Sequence, residues 1–276
     1  MSFRINTNIS ALAAQTSLTK ATKGQEESSV KLSSGTRITK AADDAAGLAI
    51  SEKLKAEIRS SRQANRNAND GISLVQTAEG GLNETSSLLT RMRELSMQAA
   101  SDTVGDAERK MAEGEYQHMK SELERISRTT EFNGRKLLDG TAPSLDFQVG
   151  VGDHSSDDVI SYNSRGLNSG VSSLGVDSVS ILSKFSAQDS LAKIDQAINK
   201  VSENRSVIGS IQNRLTTSSN NLTTYHENMS TANSRIRDTD YAEESANHAK
   251  FKILGDAGTA VMAQANTSGQ AALKLL

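Results

Sequence analysis

"IDQAINKVSENRSVIGSIQNRLTTSSNNLTTYHENMSTANSRI" spans Ile194 to Ile236. Large apolar residues fall at every seventh position: Ile194, Val201, Ile208, Leu215, Leu222, Met229 and Ile236. Leu191, Ile198, Ile211 and Tyr225 broaden the stripe. A seven-residue repeat sustained over such a length predicts a long helix that winds left-handed against partner helices. The same stripe would also serve a long helix in an ordinary bundle, and the strictness of the spacing favours coiled-coil-like packing.

The same interval recurs upstream, in Leu74, Gly81, Leu88 and Leu95 and in Val75, Leu82 and Leu89. Proline is absent before Pro143, so the chain from Asp44 to about Ala100 reads as one helix, roughly 85 Å long at 1.5 Å per residue. "NANDGIS" (Asn67–Ser73) is turn chemistry and opposes that reading locally, but the apolar pattern continues across it. A further helix from about Asp106 to Thr129 is expected to turn Met111, Met119, Leu123 and Ile126 to one side. Between Asp139 and Ser186 the composition shifts to Gly, Ser and Asp. There Leu145, Phe147, Val149 and Val151 alternate with Asp146, Gln148 and Gly150, the period of a half-buried strand. "DVISY" (Asp158–Tyr162) supplies the return strand, giving one β-hairpin in an otherwise helical chain. The expected fold class is therefore mainly α: an elongated bundle of long helices with a single hairpin.

Composition agrees. Of 276 residues, 36% are hydrophobic and 3% aromatic, without Trp or Cys, too little core material for a compact globule of this length. Net charge is −2 with the signs mixed, which gives no reason to expect nucleic acid as a partner. No apolar run approaches the ~18 residues of a membrane span, so membrane insertion is not expected. "MSFRINTNIS" lacks the basic start and apolar block of a secretory signal peptide.

Both ends are poor in large apolar residues. Residues 1–43 hold Phe3, Ile5, Ile9, Leu12, Leu18, Val30, Leu32 and Ile38. Near the other end, Phe251, Leu254, Gly258, Val261, Ala265, Ser268, Ala272 and Leu275 keep helical spacing but half are small. Met262, Asn266, Gly269, Leu273 and Leu276 form a second stripe beside them. Small residues on several faces suit a helix packed closely on all sides, and such tails are expected to gain their order by association.

Catalytic motifs fail on inspection. "HENMS" (His226–Ser230) starts like a zinc-protease motif, but Ser230 stands in the second ligand position. "GVGDHSSDD" (Gly150–Asp158) has acids without regular cation-ligand spacing. No GK[ST] phosphate loop is present. No enzymatic activity, cofactor or metal is expected.

The terminal blocks resemble bacterial flagellin. "INTNISALAAQTSL" (Ile5–Leu18), "KLSSGTRITKAADDAAGLAISEKL" (Lys31–Leu54), "QANRNANDGISLVQTAEGGLNE" (Gln63–Glu84), "RMRELSMQAA" (Arg91–Ala100) and "FNGRKLLDG" (Phe132–Gly140) are similar to the family's N-terminal block. "IDQAINKV", "QNRL", "SRIRDTDYAEESA" and "AVMAQANTSGQAALKLL" are similar to its C-terminal block. Gly255-Asp256 and Gly269 depart from the family's usual glutamines and proline.

The resemblance implies a self-assembling subunit of the flagellar filament, exported unfolded through the flagellar type III apparatus to an extracellular filament that serves swimming. A hook–filament junction protein is the alternative. It implies inner-tube segments at 1–43 and 239–276 and a rod domain at 44–238, with the hairpin region at about 141–180. The N- and C-terminal helices pair in that tube, with no outer globular domain. Inner-tube packing falls to Ile5, Ile9, Leu12, Leu254, Val261, Met262, Leu273, Leu275 and Leu276. Rod packing falls to Leu74, Leu82, Leu89 and the seven heptad residues above. Asp43, Asp44 and Asp240 are the expected helix caps at the junctions, Asp240 and Glu243 having capping-box spacing. Arg59, Arg62 and Arg66, on one helical face, suit salt bridges to neighbouring subunits. The family further implies hook-associated and cap proteins, an export chaperone at the C-terminal segment, and a host Toll-like receptor reading Arg91, Leu95 and Glu115; Thr90 departs from the glutamine common there.

Overall fold

Two stretches that each bury their own side chains make up the chain. The structure is a computed structural model that describes residues 7–154 and 156–273, with side chains to residue 267. The elements are α1 (Ile9–Ser34), α2 (Ala45–Ala99), α3 (Asp106–Thr129), β1 (Glu131–Phe132), β2 (Arg135–Lys136), β3 (Leu145–Gln148), β4 (Val159–Tyr162), α4 (Lys184–Arg237) and α5 (Tyr241–Leu273). One unit takes in the chain up to Ile58 together with everything from Asn228 onward; the other runs from Arg59 to Glu227.

The 59–227 unit holds the main core. Ile194, Val201, Ile208 and Leu215 of α4 are fully buried, and Leu222 nearly so. They meet Leu74, Val75, Leu82, Leu89, Met92 and Leu95 of α2 and Tyr116 and Leu123 of α3. The heptad thus predicts these core positions, while Met229 and Ile236 are half-buried and belong to the other unit. The suspected turn at Asn67–Ser73 is continuous helix. Gly71 is there for space: a Cβ would lie 3.1 Å from the Phe147 ring and 3.2 Å from Leu215. The expected face of α3 needs correction, because Met111 is 76% exposed. It lies five residues, or about 140° of helical rotation, from the buried Tyr116. Arg109 fills the inward end of α3 instead. Its guanidinium donates to the Ala99 and Ser101 carbonyl oxygens at 2.9 and 3.0 Å and to Asp106 at 2.8 Å, closing the α2–α3 turn.

Strands β3 and β4 pair antiparallel in the register Leu145↔Tyr162 through Gln148↔Val159. The alternation expected as far as Val151 stops earlier. Val149 and Gly150 both donate to the Asp158 carbonyl, at 2.8 and 3.0 Å, a two-against-one bulge that throws Val151 into solvent. A second hairpin, β1–β2, was not expected. Its turn is Asn133-Gly134, both at positive φ (50° and 75°), the chemistry of a two-residue type I′ turn. It leads into Leu137 and Leu138, both fully buried, and the Tyr162 hydroxyl donates to the Leu137 carbonyl at 3.1 Å. Residues 163–183 form no strand, yet bury Leu167, Val171, Leu174, Val176, Val179 and Ile181.

An ionised side chain at Leu215 has no partner and no water. Leu215→Asp should lower the unfolding free energy by at least ~3 kcal/mol in urea melts followed by far-UV circular dichroism. Met111→Asp, at the surface, should stay within about 0.5 kcal/mol of the parent.

Candidate assembly surface

The other unit is built on α1 and α5, which run antiparallel. Four contacts fix their register. Asn8 Nδ2 donates to the Ala265 carbonyl at 2.9 Å; Leu18 lies over Gly258; Phe251 lies over Gly24; and Lys31 Nζ stands 3.9 Å from a Glu244 oxygen. The interface residues recur every seven positions on both helices. Ala14, Ala21 and Ser28 are the buried residues of α1; Phe251 and Gly258 of α5 are half-buried, and Ala265 is buried. The crossings are close: a Cβ on Gly24 would sit 2.7 Å from the Phe251 ring and displace it, and one on Gly258 would lie 3.3 Å from Leu18, a tight contact.

Backbone bonds close the inner end of the pair. Arg37 N donates to the Arg237 carbonyl at 2.7 Å and Thr239 N to the Gly35 carbonyl at 3.0 Å, with Thr36 bridging Asp238. Gly35 ends α1 in the left-handed region, φ 68°, its amide bonded to the Lys31 carbonyl. Asp44 caps α2, its Oδ1 accepting from Gly47 N at 2.8 Å, and Asp240 caps α5, accepting from Ala242 N and Glu243 N at 2.9 and 3.2 Å. Among the described residues no bond from the Glu243 side chain completes a capping box. Asp43 is not a helix cap. Its carboxylate accepts from the Thr39 amide, the Thr39 hydroxyl and the Lys40 amide, each at 2.9 Å, and so ties the loop before α2. Those donors, the Lys40 amide foremost, hold the Asp43 carboxyl below its usual range. Their contribution is present above the ordinary carboxylate pKa and is lost as pH falls through the lowered one.

The residues expected to pack the terminal helices do not pack within the chain. Ile9 and Leu12 are each 60% exposed, Leu254 48% and Val261 57%, with Val30 and Ile253 exposed beside them. Met262 is half-buried. Ile5, Leu275 and Leu276 lie outside the described residues, as does the Leu273 side chain. The tails are helical, not orderless, in this conformation. Their mutual contact is made by small residues, and the larger apolar side chains are turned outward. Sequence reasoning did not name Ala14, Ala21 and Ser28; their seven-residue spacing was the available signal.

In the 59–227 unit, Arg91 pairs with Glu94 at 2.9 Å and with Glu115 at 3.0 Å across α2 and α3, all three exposed. Leu95 is withdrawn into the core at 3% exposure, so its side chain offers nothing at the surface. Among the described residues no helix is long and apolar enough to cross a membrane.

Helical terminal blocks on either side of a hairpin-bearing middle match two family models: the bacterial flagellin N-terminal helical region over residues 5–142 and the C-terminal helical region over residues 191–276. The chain belongs to the bacterial flagellin family. It is 42% identical over 272 residues to a flagellin of Halalkalibacterium halodurans, covering 99% of each chain. It is 39% identical over 307 aligned positions to a flagellin of Bacillus subtilis, again covering 99% of each. Among solved structures, Bacillus cereus flagellin superposes with a TM-score of 0.50 at 31% identity, over 61% of this chain and 94% of that one. The unmatched stretch, 143–190, is the hairpin and packed loop, and both are absorbed into the 59–227 unit.

A branched side chain at Gly24 cannot coexist with Phe251. Gly24→Val should speed amide hydrogen exchange along α1 and α5, read by mass spectrometry, and leave the core amides of α4 between Ile194 and Leu215 unchanged.

Proposed function

We propose that the chain is the structural subunit of a bacterial flagellar filament, in which the α1–α5 pairs of many copies pack side by side into an inner layer. One observation carries this reading. The two helices meet largely through alanine, serine and glycine, with Phe251 and Leu18 over the glycines, while Ile9, Leu12, Leu254 and Val261 are left exposed. Burying a large aliphatic side chain contributes ~1.5–3 kcal/mol, and within one chain these residues forgo it. Copies packed around the pair would bury them. On this reading the segments 1–43 and 239–276 form the inner layer, 44–238 the surrounding rod, and the place of work is the extracellular flagellum.

A junction protein between hook and filament is the less favoured reading, because the relatives that align from end to end are flagellins. Export as an unfolded chain by the flagellar type III system, capture of the C-terminal segment by an export chaperone, and contacts with hook-associated and cap proteins follow from membership of the family. Absence of enzymatic function also accords with a structural family.

Removing residues 1–43 and 239–276 should leave a helical monomer that gives no sedimentable polymer under conditions where the full chain forms filaments. Polymer from the shortened chain would refute the inner-layer role of the ends.

Recognition by a host Toll-like flagellin receptor would rest on Arg91 and Glu115, which project from adjoining helices, with Leu95 acting only from beneath. In a cell reporter assay, monomeric protein should signal, and Arg91→Ala should reduce its potency on the order of tenfold. Absence of any signal would remove this role.

A further inference from the structure

Arg59, Arg62 and Arg66 share one face of α2 and all are exposed. Among the described residues none of them is paired with a carboxylate: Arg62 Nε donates to His226 Nε2 at 3.3 Å, and Arg66 to the Gln63 side-chain oxygen. Like charges three and four residues apart on a helix repel. The isolated chain gains nothing from this arrangement.

Hairpin β3–β4, in the same unit, carries the opposite sign. Asp146 is exposed on β3, while its neighbour Leu145 is buried. Asp153 and Asp157 stand exposed on the turn, the Asp153 side chain completely so; among the described residues its one basic neighbour within 4 Å is His154 Nε2, at 3.9 Å. Asp158 braces the described residues that flank this turn. The Asp158 carbonyl accepts two backbone amides, its carboxylate accepts the His154 amide at 3.1 Å, and its side chain closes the space over Gly150 and Gly152. The hairpin is seated on the long helices through Asn67 Nδ2, which donates to the Gln148 carbonyl at 3.0 Å, and Ser218 Oγ, which donates to that of Val149. Within one chain, these acids and these arginines form no ion pair.

We propose that the two surfaces meet between copies, the acidic rim of the β3–β4 hairpin of one chain docking on the arginine face of α2 in the next. This rests on the filament reading and deepens it. Because the two surfaces are different places on one molecule, each contact leaves one of each free, the head-to-tail arrangement that a helical filament requires. Their lengths match. Arg59 to Arg66 spans about 10 Å of helix, and Asp146 to the turn at Gly150 about 13 Å of strand. Attraction between solvated charges decays over about 10 Å at 0.1 M salt, so the contact is salt-sensitive, unlike burial of the aliphatic residues on α1 and α5.

The test is the critical concentration for seeded elongation of the full-length chain, read by sedimentation. Asp153→Lys with Asp157→Lys should raise it on the order of tenfold, as should Arg62→Glu with Arg66→Glu, and combining all four should bring it back to within about threefold of the parent. Raising sodium chloride should shrink the difference in critical concentration between the parent and the charge-reversed chains. Reversal of either set without effect, or a combined variant no better than the weaker pair, would overturn the proposal. So would an effect confined to the arginines, which would point to a polyanion in place of a second copy. Melting curves of the monomers guard against unfolding. Should the arginine variant melt lower, the aspartate pair decides alone, since the bonds of that turn come from Asp158. A parent chain that forms no filament would remove the filament reading as well; a parent that polymerises while the reversals are silent removes only this contact.

Discussion

The seam between α1 and α5 is made mostly of small residues, with Phe251 and Leu18 lying over glycines as its large members. Ala14, Ala21 and Ser28 on one helix face a line through Phe251, Gly258 and Ala265 on the other. Small residues let two backbones approach closely and fix their register, but each removes little apolar surface from water. The polar contacts, Asn8 to Ala265 and Lys31 to Glu244, orient more than they stabilise, the second being an ion pair with partial access to solvent. The geometry is specified within the chain, and most of the energy that could stabilise it is left on the outside. On the proposed filament reading, this division leaves apolar surface at the ends for further copies to cover.

The 59–227 unit has the opposite character. Its heptad residues are fully buried, its hairpins are seated by side-chain bonds to backbone, and Arg109 satisfies two carbonyl oxygens at the end of α2. Stability there comes from a contiguous apolar core, so its surface is free to carry unpaired charge. Exposed arginines on α2 and exposed aspartates on the hairpin are tolerable because neither is asked to hold the fold.

Periodic features were legible in the sequence and packing exceptions were not. Ile194 to Leu215 declared themselves because a seven-residue repeat is a direct image of a helix–helix seam. Gly71 sits in turn-like chemistry that the continuous apolar pattern correctly overrode, and the Phe147 ring beside it shows that the glycine serves close packing. Met111 misled because methionine is apolar wherever it lies, and the angle to Tyr116 becomes decisive only once Tyr116 is known to be the buried residue. The segment 163–183 escaped because irregular backbone has no period, although Leu167, Val171, Leu174 and Val176 are buried as deeply as any strand. At the ends, the sequence named the large apolar residues expected to pack in an assembled tube, but not the small residues, Ala14, Ala21 and Ser28, that α1 buries within one chain.

On the proposed filament reading, this placement suits a polymer built by adding copies. Were Ile9, Leu12, Leu254 and Val261 in the α1–α5 seam, a single chain would satisfy itself and nothing would draw further copies around it. With alanine, serine and glycine in the seam, the pair forms with its register set but its apolar surface unspent, and each added copy covers residues that its predecessor could not. Large exposed apolar surface is ordinarily a hazard of unspecific association. Here it is spread along two helices in narrow lines between polar residues, which limits what can bind to surfaces of the same period. The helix that best fits that description is another copy of α1 or α5.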